Sequence, residues 1–367
     1  MKLALWILGI LLMLGVAGFG LLVWWAKRDV ERKNEHDVLQ YIAAHPEQCS
    51  MYAAENGHAL IDYKSEVKRP LASVLKIVVA VEFAERVADG TVNPEESVAL
   101  DSLQRFYIPG SDGGAHEAWR KSLGADATKD VALIEAAKGM MRYSSNANTD
   151  FLIERLGLEA INKRIQTLDL SAHDPIYPLS SAMLMHAHLQ EDGLRAGEAE
   201  AAMREMSAEQ YAAKSVELFD KHRADASLLS ALQAKPRPLS MQRIWSDRLP
   251  AATAREYADL LRDIQSGNRL SPEAAAIVRD IMETPVKPES HFSTLAHKGG
   301  SSLNILNEAL YSEDKSKNRL QLALFMHGAN RADMLWLEKK LDLFLRRYLT
   351  DTAFRQTAAE ALGSGTE

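Results

Sequence analysis

The stretch Ser73–Ala84 constrains this chain most, because it is the most apolar helix-like run outside the N-terminal segment. Its sequence, SVLKIVVAVEFA, predicts a helix that is buried on nearly all sides. Ser73 and Lys76 are three residues apart, so their side chains project from the same helix face. Burial disfavours a charged ammonium group, so such a lysine would accept the proton of the serine. The N–H groups at the start of the helix would stabilise an oxyanion formed at that serine. The stretch therefore predicts the first part of a serine acyl-transfer site.

This spacing is weak on its own. Ser65–Lys68 and Ser312–Lys315 repeat it within charged, turn-like sequence that predicts solvated surface. Without other support, Ser73 is better explained as a helix cap and Lys76 as a lysine that extends its head group to solvent.

Two further segments carry polar groups suited to the same chemistry. Ser144, Ser145 and Asn146 lie on a short connection between two helical patterns. Lys298–Ser301 lies between two strand-like patterns, where a lysine would bind a substrate carboxylate and paired glycines would admit an extended substrate. Taken separately, these segments also fit an ordinary turn and an ordinary edge lysine, and Ser302–Asn304 repeats the serine-x-asparagine spacing.

The order of the three segments resembles that of the penicillin-recognising serine enzymes, which comprise class A β-lactamases, D,D-peptidases and their relatives. That family carries S-x-x-K, then S-D-N or S-x-N, then K-T-G or K-S-G. The resemblance runs from about Met51 to Tyr348. It implies an α/β fold of the α+β type, with a five-stranded antiparallel sheet flanked by helices and an all-helical subdomain.

Several local patterns agree with this fold. Asn56-Gly57 predicts a type I′ hairpin that opens the sheet. Residues 303–311 and 320–327 predict its last two strands, and residues 333–345 predict a final helix that packs back on it.

The resemblance implies a role for each matched residue in the first two motifs. Ser73 would attack the carbonyl and become acylated, with Lys76 as its base or proton relay. Ser144 would pass a proton to the departing nitrogen. Asn146 would hold the amide side chain of the substrate and Lys76.

The third motif would bind substrate. Lys298 would attract the substrate carboxylate, and Gly300 would line the binding strand. The N–H groups of Ser301 and Ser73 would form the oxyanion hole. The resemblance implies no metal and no organic cofactor.

Three departures from the family pattern bear on activity. Ser145 stands where class A enzymes have aspartate, which would loosen the loop, and Gly299 replaces a hydroxyl residue. Residues 168–181 contain no glutamate, whereas class A enzymes carry there the glutamate that activates the deacylating water. Asp169 and Asp174 in this stretch are better explained as turn residues. Without a positioned base, an acyl-enzyme would form but hydrolyse slowly.

A long segment, residues 185–247, has no counterpart in compact family members and predicts two or three amphipathic helices. It would supply a base from Glu191, Asp192 or Glu217, or serve as a helical lid or a partner-binding insert, and the sequence leaves these open. His186 and His188 within it lie on different helix faces, and no third metal ligand is suggested by spacing.

The loop Arg105–Trp119 is rich in glycine and aromatic residues and suits a rim over a pocket. Tyr107 and Trp119 in it would either contact substrate or anchor the loop to the core.

The N-terminal segment predicts where the protein resides in the cell. Leu3–Trp25 carries no charge and is long enough to cross a bilayer, so residues 1–26 predict a transmembrane anchor, with a cleaved signal peptide as the alternative. Residues 27–48 would form a juxtamembrane stalk, 49–350 the hydrolase domain and 351–367 a tail. The basic residues after the span favour a cytoplasmic domain. The resemblance favours the periplasmic or extracellular side of the cytoplasmic membrane, which we expect, because its substrates occur there.

Charge and cysteine content exclude some functions. A net charge of −7 argues against nucleic-acid binding, and the single cysteine, Cys49, excludes an intrachain disulfide.

Taken together, the motifs and the N-terminal segment predict a membrane-anchored serine hydrolase that acts through an acyl-enzyme on an amide bond, with β-lactam hydrolysis as the first substrate prediction. The alternatives are a D,D-peptidase or amidase acting on cell-wall peptides and a penicillin-binding sensor or scaffold without turnover.

Overall fold

The computed structural model describes residues 28, 30–124, 129–224, 231–232 and 235–363. Its strands are β1 Cys49–Glu55, β2 His58–Tyr63, β3 Arg69–Pro70, β4 Ser97–Ala99, β5 Asp130–Ala132, β6 Ala251–Ala252, β7 Phe292–Ser302, β8 Ile305–Asp314 and β9 Arg319–His327. Its first helices are α1 Glu35–Ala44, α2 Lys76–Ala88, α3 Leu100–Gln104, α4 Ala115–Ser122, α5 Leu133–Lys138, α6 Asn146–Leu156 and α7 Leu158–Thr167. The later helices are α8 Leu179–Met183, α9 Met185–Glu191, α10 Ala196–Glu205, α11 Ala208–Ala224, α12 Leu239–Arg248, α13 Ala254–Ser266, α14 Pro272–Met282, α15 Arg331–Thr350 and α16 Thr352–Leu362.

Five strands form one antiparallel sheet, as predicted, and their order is β2-β1-β9-β8-β7. Asn56 and Gly57, with φ of 51° and 83°, connect β1 to β2, and both positive values fit the predicted type I′ hairpin. The third motif lies within β7, which places it at the edge of the sheet.

The sheet separates two apolar cores. Because side chains alternate along a strand, Tyr52 and Ala54 face one core while Met51 and Ala53 face the other. The first core contains the helical subdomain around α2, whose residues 76–84 are all buried, as the sequence predicts. The second core packs α1, α15 and α16 against the outer face of the sheet.

The prediction of a stalk over residues 27–48 is wrong for its second half. Asn34 and Asp37 form a capping box, and α1 then buries Val38, Leu39 and Ile42 against α15. The tail prediction over residues 351–367 is also wrong, since α16 buries Phe354, Ala358 and Leu362 in the same core. In both segments, apolar residues three or four positions apart form a buried helix face within polar sequence.

The segment 185–247 is helical as predicted, but its described residues form α9, α10, α11 and α12 rather than two or three helices. It has its own apolar cluster, formed by Tyr177, Ala182, Met185, Leu189, Ala199, Met203, Tyr211, Leu218, Met241 and Ile244. Hydrogen bonds tie it to the main fold, from Arg237 to Pro109 O and from Asn304 to Asp247. It is therefore a packed part of the molecule.

The predicted anchor over residues 1–26 lies outside the described residues. Within the described ranges, no helix is both long enough and apolar enough to cross a bilayer.

Candidate active site

Ser73 lies on a single 3-10 turn, Ala72–Leu75, rather than inside a regular helix, and α2 begins at Lys76. Ala72 has a φ of 47°, which a residue with a Cβ rarely adopts, so the backbone bends sharply just before the serine. Leu71 N donates to Pro250 O at 2.9 Å and holds the start of this turn. The turn brings Ser73 to the edge of a cleft while the next residues enter the core.

Lys76 lies beneath the serine and is completely buried. Its Nζ donates to Ser144 O at 2.6 Å and to Asn146 Oδ1 at 2.8 Å, and it lies 3.3 Å from Ser144 Oγ. Burial, together with the nearby Lys298 charge, holds the pKa of Lys76 well below its usual value. A neutral amine has two N–H groups for these two acceptors and a lone pair for the serine proton. In the described residues, no hydrogen bond joins Lys76 Nζ to Ser73 Oγ.

Ser144 connects the two lysines. Its φ of 69° places a non-glycine residue in the left-handed region, at the end of a π-helical turn. Its Oγ accepts from Lys298 Nζ at 2.9 Å and faces Lys76 Nζ on the other side. Burial lowers the pKa of Lys298 to about 8, and the Glu308 charge partly opposes that shift. The three groups form a path for proton transfer.

Ser145 supports this loop, contrary to the expectation that its replacement of aspartate would loosen it. It is buried, and its Oγ accepts from Asn148 N at 3.2 Å, which caps α6. The same hydroxyl lies 3.0 Å from His116 Nδ1 and donates to Asn148 Oδ1. Burial lowers the pKa of His116, so the ring is neutral and serves as a hydrogen-bond partner.

Strand β7 approaches the serine turn very closely. A Cβ built on Gly300 would lie 2.5 Å from Leu71 O and 3.0 Å from Ser73 N. Only glycine permits this contact. Ser301, the next residue, is exposed and lines the cleft.

The cleft has a volume of about 480 Å³. It is lined by Ala72, Ser73, Ser111, Asp112, Gly113, Met141, Arg142, Ser144, Asn146, Leu179, Trp245, Leu249, His297, Lys298, Gly299, Ser301 and Ser302. The structure therefore brings Ser73, Ser144, Asn146, Lys298 and Ser301 together at one cleft, with Lys76 beneath and Gly300 pressed against the serine turn. These positions fit the roles that the resemblance implies, which remain predictions.

The candidate acids of the sequence analysis do not reach this cleft. Asp169 lies in a turn, and Asp174 pairs with Lys68 and accepts from Ala251 N. Two of the insert acids form ion pairs elsewhere, Glu191 with Lys235 and Glu217 with Lys214 and Lys221, and Asp192 lies beside the His188 ring. Among the described residues that line the cleft, Asp112 is the only carboxylate.

The rim aromatic residues anchor the loop. Trp119 is buried, and Tyr107 stacks on His116 with ring centroids 4.8 Å apart. In the insert, His186 Nε2 lies 3.2 Å from Ala196 O, and His188 lies beside Asp192. The repeated serine-lysine spacings are not fully solvated as predicted, because Ser65 and Ser312 are buried.

Among the cleft residues that sequence reasoning did not single out are Asp112, Leu179, Trp245 and Leu249. Asp112 lies in the glycine-rich rim, which was a usable signal. The other three come from segments around the insert, and no local pattern marks them. Asp150 places Leu179 by accepting from Leu179 N at 3.1 Å and from Ser180 N at 2.8 Å.

The sequence profile of the beta-lactamase enzyme family matches residues 33–339. No match is found among curated proteins.

Solved structures share the fold at low sequence identity. A structure described as PBP-A is 17% identical with a TM-score of 0.52, over 88% of this chain and 96% of that chain. A β-lactamase from Chitinophaga pinensis is 14% identical with a TM-score of 0.52, over 86% of this chain and 99% of that chain. The chromosome-encoded β-lactamase of Vibrio parahaemolyticus is 12% identical with a TM-score of 0.54, over 87% of this chain and 100% of that chain. With the profile match across most of its length, the chain belongs to the beta-lactamase enzyme family, within the penicillin-recognising serine hydrolases.

Proposed function

We propose that this protein cleaves amide bonds of peptide type through an ester on Ser73, and that β-lactams acylate this serine without rapid release. The observation that carries the proposal is the cleft composition: a serine beside two buried lysines, and a wall of Leu179, Trp245 and Leu249 that offers no carboxylate. A D,D-peptidase or amidase acting on cell-wall peptides therefore takes precedence over β-lactam hydrolysis, which the motif order first favoured.

Acylation would proceed by a closed proton cycle. The lone pair of Lys76 Nζ takes the Ser73 proton as the serine oxygen bonds to the substrate carbonyl carbon. The C–N bond then breaks while Ser144 Oγ gives its proton to the leaving nitrogen and recovers one from Lys76, 3.3 Å away. The N–H groups of Ser73 and Ser301 would stabilise the oxyanion between these steps.

Deacylation would be the slow step. Water must lose a proton as it attacks the ester, and general base assistance typically accelerates such a step by about 100-fold or more. Leu179 is buried and lines the same cleft as Ser73, and its side chain offers no base on this wall. Hydrolysis then depends on Lys76 once it has returned to its neutral form.

β-Lactam hydrolysis remains the second candidate because Asp112 lines the cleft. Its Oδ2 accepts from Asn146 N at 3.3 Å and its Oδ1 from Ala115 N at 3.1 Å. A carboxylate held in this way would activate a water only from the rim side of the cleft.

Intact mass spectrometry after exposure to a fluorescent penicillin tests the proposal. We expect a single adduct that persists for hours and is absent from Ser73→Ala. Leu179→Glu should shorten its lifetime by about 100-fold, because a buried glutamate has a raised pKa suited to a base. Leu179→Gln, which changes polarity without supplying a base, is the matched control. Rapid loss of the adduct in the unmodified protein would favour β-lactam hydrolysis, and a folded protein that forms no adduct would contradict both.

The location also remains a proposal. The uncharged segment Leu3–Trp25 supports a single-pass anchor in the cytoplasmic membrane. The family assignment supports a catalytic domain outside that membrane. Alkaline carbonate extraction of membranes and protease access to intact cells and spheroplasts would test the anchor and its orientation.

A further inference from the structure

Strand β7 defines the two ends of the cleft. Lys298 Nζ donates to Ser144 Oγ at 2.9 Å, and Ser144 protonates the leaving nitrogen in the proposed mechanism. Gly300 lies against the serine turn, where a built Cβ would be 3.0 Å from Ser73 N. Ser302 comes two residues later along the strand, about 6–7 Å beyond that contact. The leaving group therefore lies toward Lys298, and the acyl part of the substrate lies toward Ser302.

The helical insert reaches the acyl end of the cleft. Asp247, near the end of α12, has an Oδ1 that accepts from Asn304 Nδ2 at 2.8 Å and lies 2.8 Å from His327 Nε2. Asn304 is two residues beyond Ser302, so these contacts hold α12 beside the end of β7. Trp245 lies two residues before Asp247 and lines the same cleft as Ser302. The insert thus contributes an aromatic side chain to the acyl end of the cleft.

The Trp245 ring connects the insert to the main fold and carries an unused donor. The ring packs against the core around α2 and also against the apolar cluster of the insert. Its Nε1 is buried and has no hydrogen-bond partner among the described residues. Ser302 Oγ, in the same cleft lining, is likewise buried without a partner there. Buried polar atoms in this state cost free energy, and a bound substrate that supplies partners would offset that cost.

We propose that Trp245 forms a subsite for the acyl part of the substrate, and that this subsite selects an apolar group that is followed by an oxygen acceptor. The apolar group would pack on the indole ring and on Leu249, which lines the same cleft. The acceptor would be the carbonyl of a further peptide unit, which receives the Nε1–H of Trp245. This inference rests on the proposed function and narrows its substrate class to amides whose acyl part continues as a peptide chain. The insert that carries Trp245 has no counterpart in compact family members, so the subsite is particular to this chain.

Three penicillins with one shared nucleus test this subsite through their rates of acylation. The side chain is acetyl in the first, phenylacetyl in the second, and phenylacetyl with an α-acetamido group in the third. The second compound adds an aromatic group to the first, and the third adds an amide carbonyl to the second. Quenched-flow intact mass spectrometry of the full chain measures the rate of adduct formation. For the unmodified protein, we expect acylation to become about tenfold faster at each step.

Substitutions of Trp245 separate the two contributions. Trp245→Phe keeps an aromatic ring without the N–H, so it should lose the gain from the acetamido group and keep the gain from the phenyl group. Trp245→Ala should lose both gains and bring the three rates to within about threefold of one another. Leu239→Ala, at an exposed residue of the same helix outside the cleft lining, is the matched control and should keep both gains. A variant that is partly unfolded loses rate for all three penicillins alike, so the ratios remain informative.

The inference and the proposed function fail in different ways. If Trp245→Phe keeps the gain from the acetamido group, the donor role is overturned. Equal acylation of the unmodified protein by the acetyl and phenylacetyl compounds would overturn the subsite without the need for any variant. In both cases the proposed function would stand, because it requires only acylation that depends on Ser73. A folded protein that none of the three penicillins acylates would overturn both.

Discussion

The contact between Gly300 and the Ser73 turn offers a sharp test of the site geometry. In Gly300→Ala, the new Cβ would lie 2.5 Å from Leu71 O, 3.0 Å from Ser73 N and 3.1 Å from Val74 Cγ2. Ordinary van der Waals contact begins at 3.4 Å, so β7 must retreat from the Leu71 carbonyl by about 0.9 Å. The carbonyl cannot easily yield, because it accepts from Val74 N at 3.1 Å within the same turn.

This displacement should affect stability and activity together. Overpacking of this kind costs about 1–3 kcal/mol of unfolding free energy. A shift of roughly 1 Å also separates the two N–H groups of the oxyanion hole, and a misplacement of that size costs about 100-fold in rate. The acylation rate with a fluorescent penicillin and the free energy of unfolding in urea measure the two effects.

A second glycine provides the control. Gly197→Ala lies in α10 at a position where the added Cβ meets no atom within 4 Å. It should leave the acylation rate unchanged and keep or slightly raise stability. If Gly300→Ala acylates within about threefold of the unmodified protein and unfolds at the same urea concentration, the argument from close approach is refuted.

Three further predictions follow from buried groups. Acylation needs neutral Lys76, whose pKa is held low by burial and the Lys298 charge, and protonated Lys298, whose pKa is about 8. The rate should therefore fall above about pH 8, and Lys298→Arg should move that decline to higher pH in a stopped-flow profile; an unmoved decline would contradict the assignment. Asp150→Ala removes the acceptor of two buried N–H groups and should lower the free energy of unfolding by about 3 kcal/mol in urea, whereas a loss under about 1 kcal/mol would contradict the argument. Arg69→Met leaves four acceptors without the donors that the buried guanidinium supplies, and it should lower the free energy of unfolding by about 3 kcal/mol or more. Arg346→Met, at an exposed arginine, is the control and should change the free energy of unfolding little.

Much of the fold was predictable because its signals are local. The paired residues Asn56-Gly57 specify a tight hairpin through their own backbone preferences, and the apolar run after Ser73 specifies a buried helix. The order of the three motifs predicted the family. The helices α1 and α16 were missed although Asn34 and Asp37 offered a capping signal, because charged neighbours obscured a short apolar face.

The chemistry of the cleft depends on contacts between distant segments. The motif spacing identifies Ser144 as a candidate polar residue. Only the folded chain shows that its backbone is left-handed and that its hydroxyl lies between Lys76 and Lys298. The composition of the cleft wall likewise depends on Asp150, which holds the backbone of Leu179 from another helix. Such placement results from packing among several elements, which no local pattern encodes.

The sequence by itself determined the family, the sheet, the buried helix and the set of reactive side chains, because each motif and each element pattern consists of residues close together along the chain. Only the tertiary structure decided which acids reach the cleft and which charge lies beside Lys298. Glu308 is ten residues from Lys298 along the chain, yet strand pairing brings it against Gly299. Electrostatic interaction depends on distance in space, so the effect of the Glu308 charge on the pKa of Lys298 became apparent only when the strands were paired.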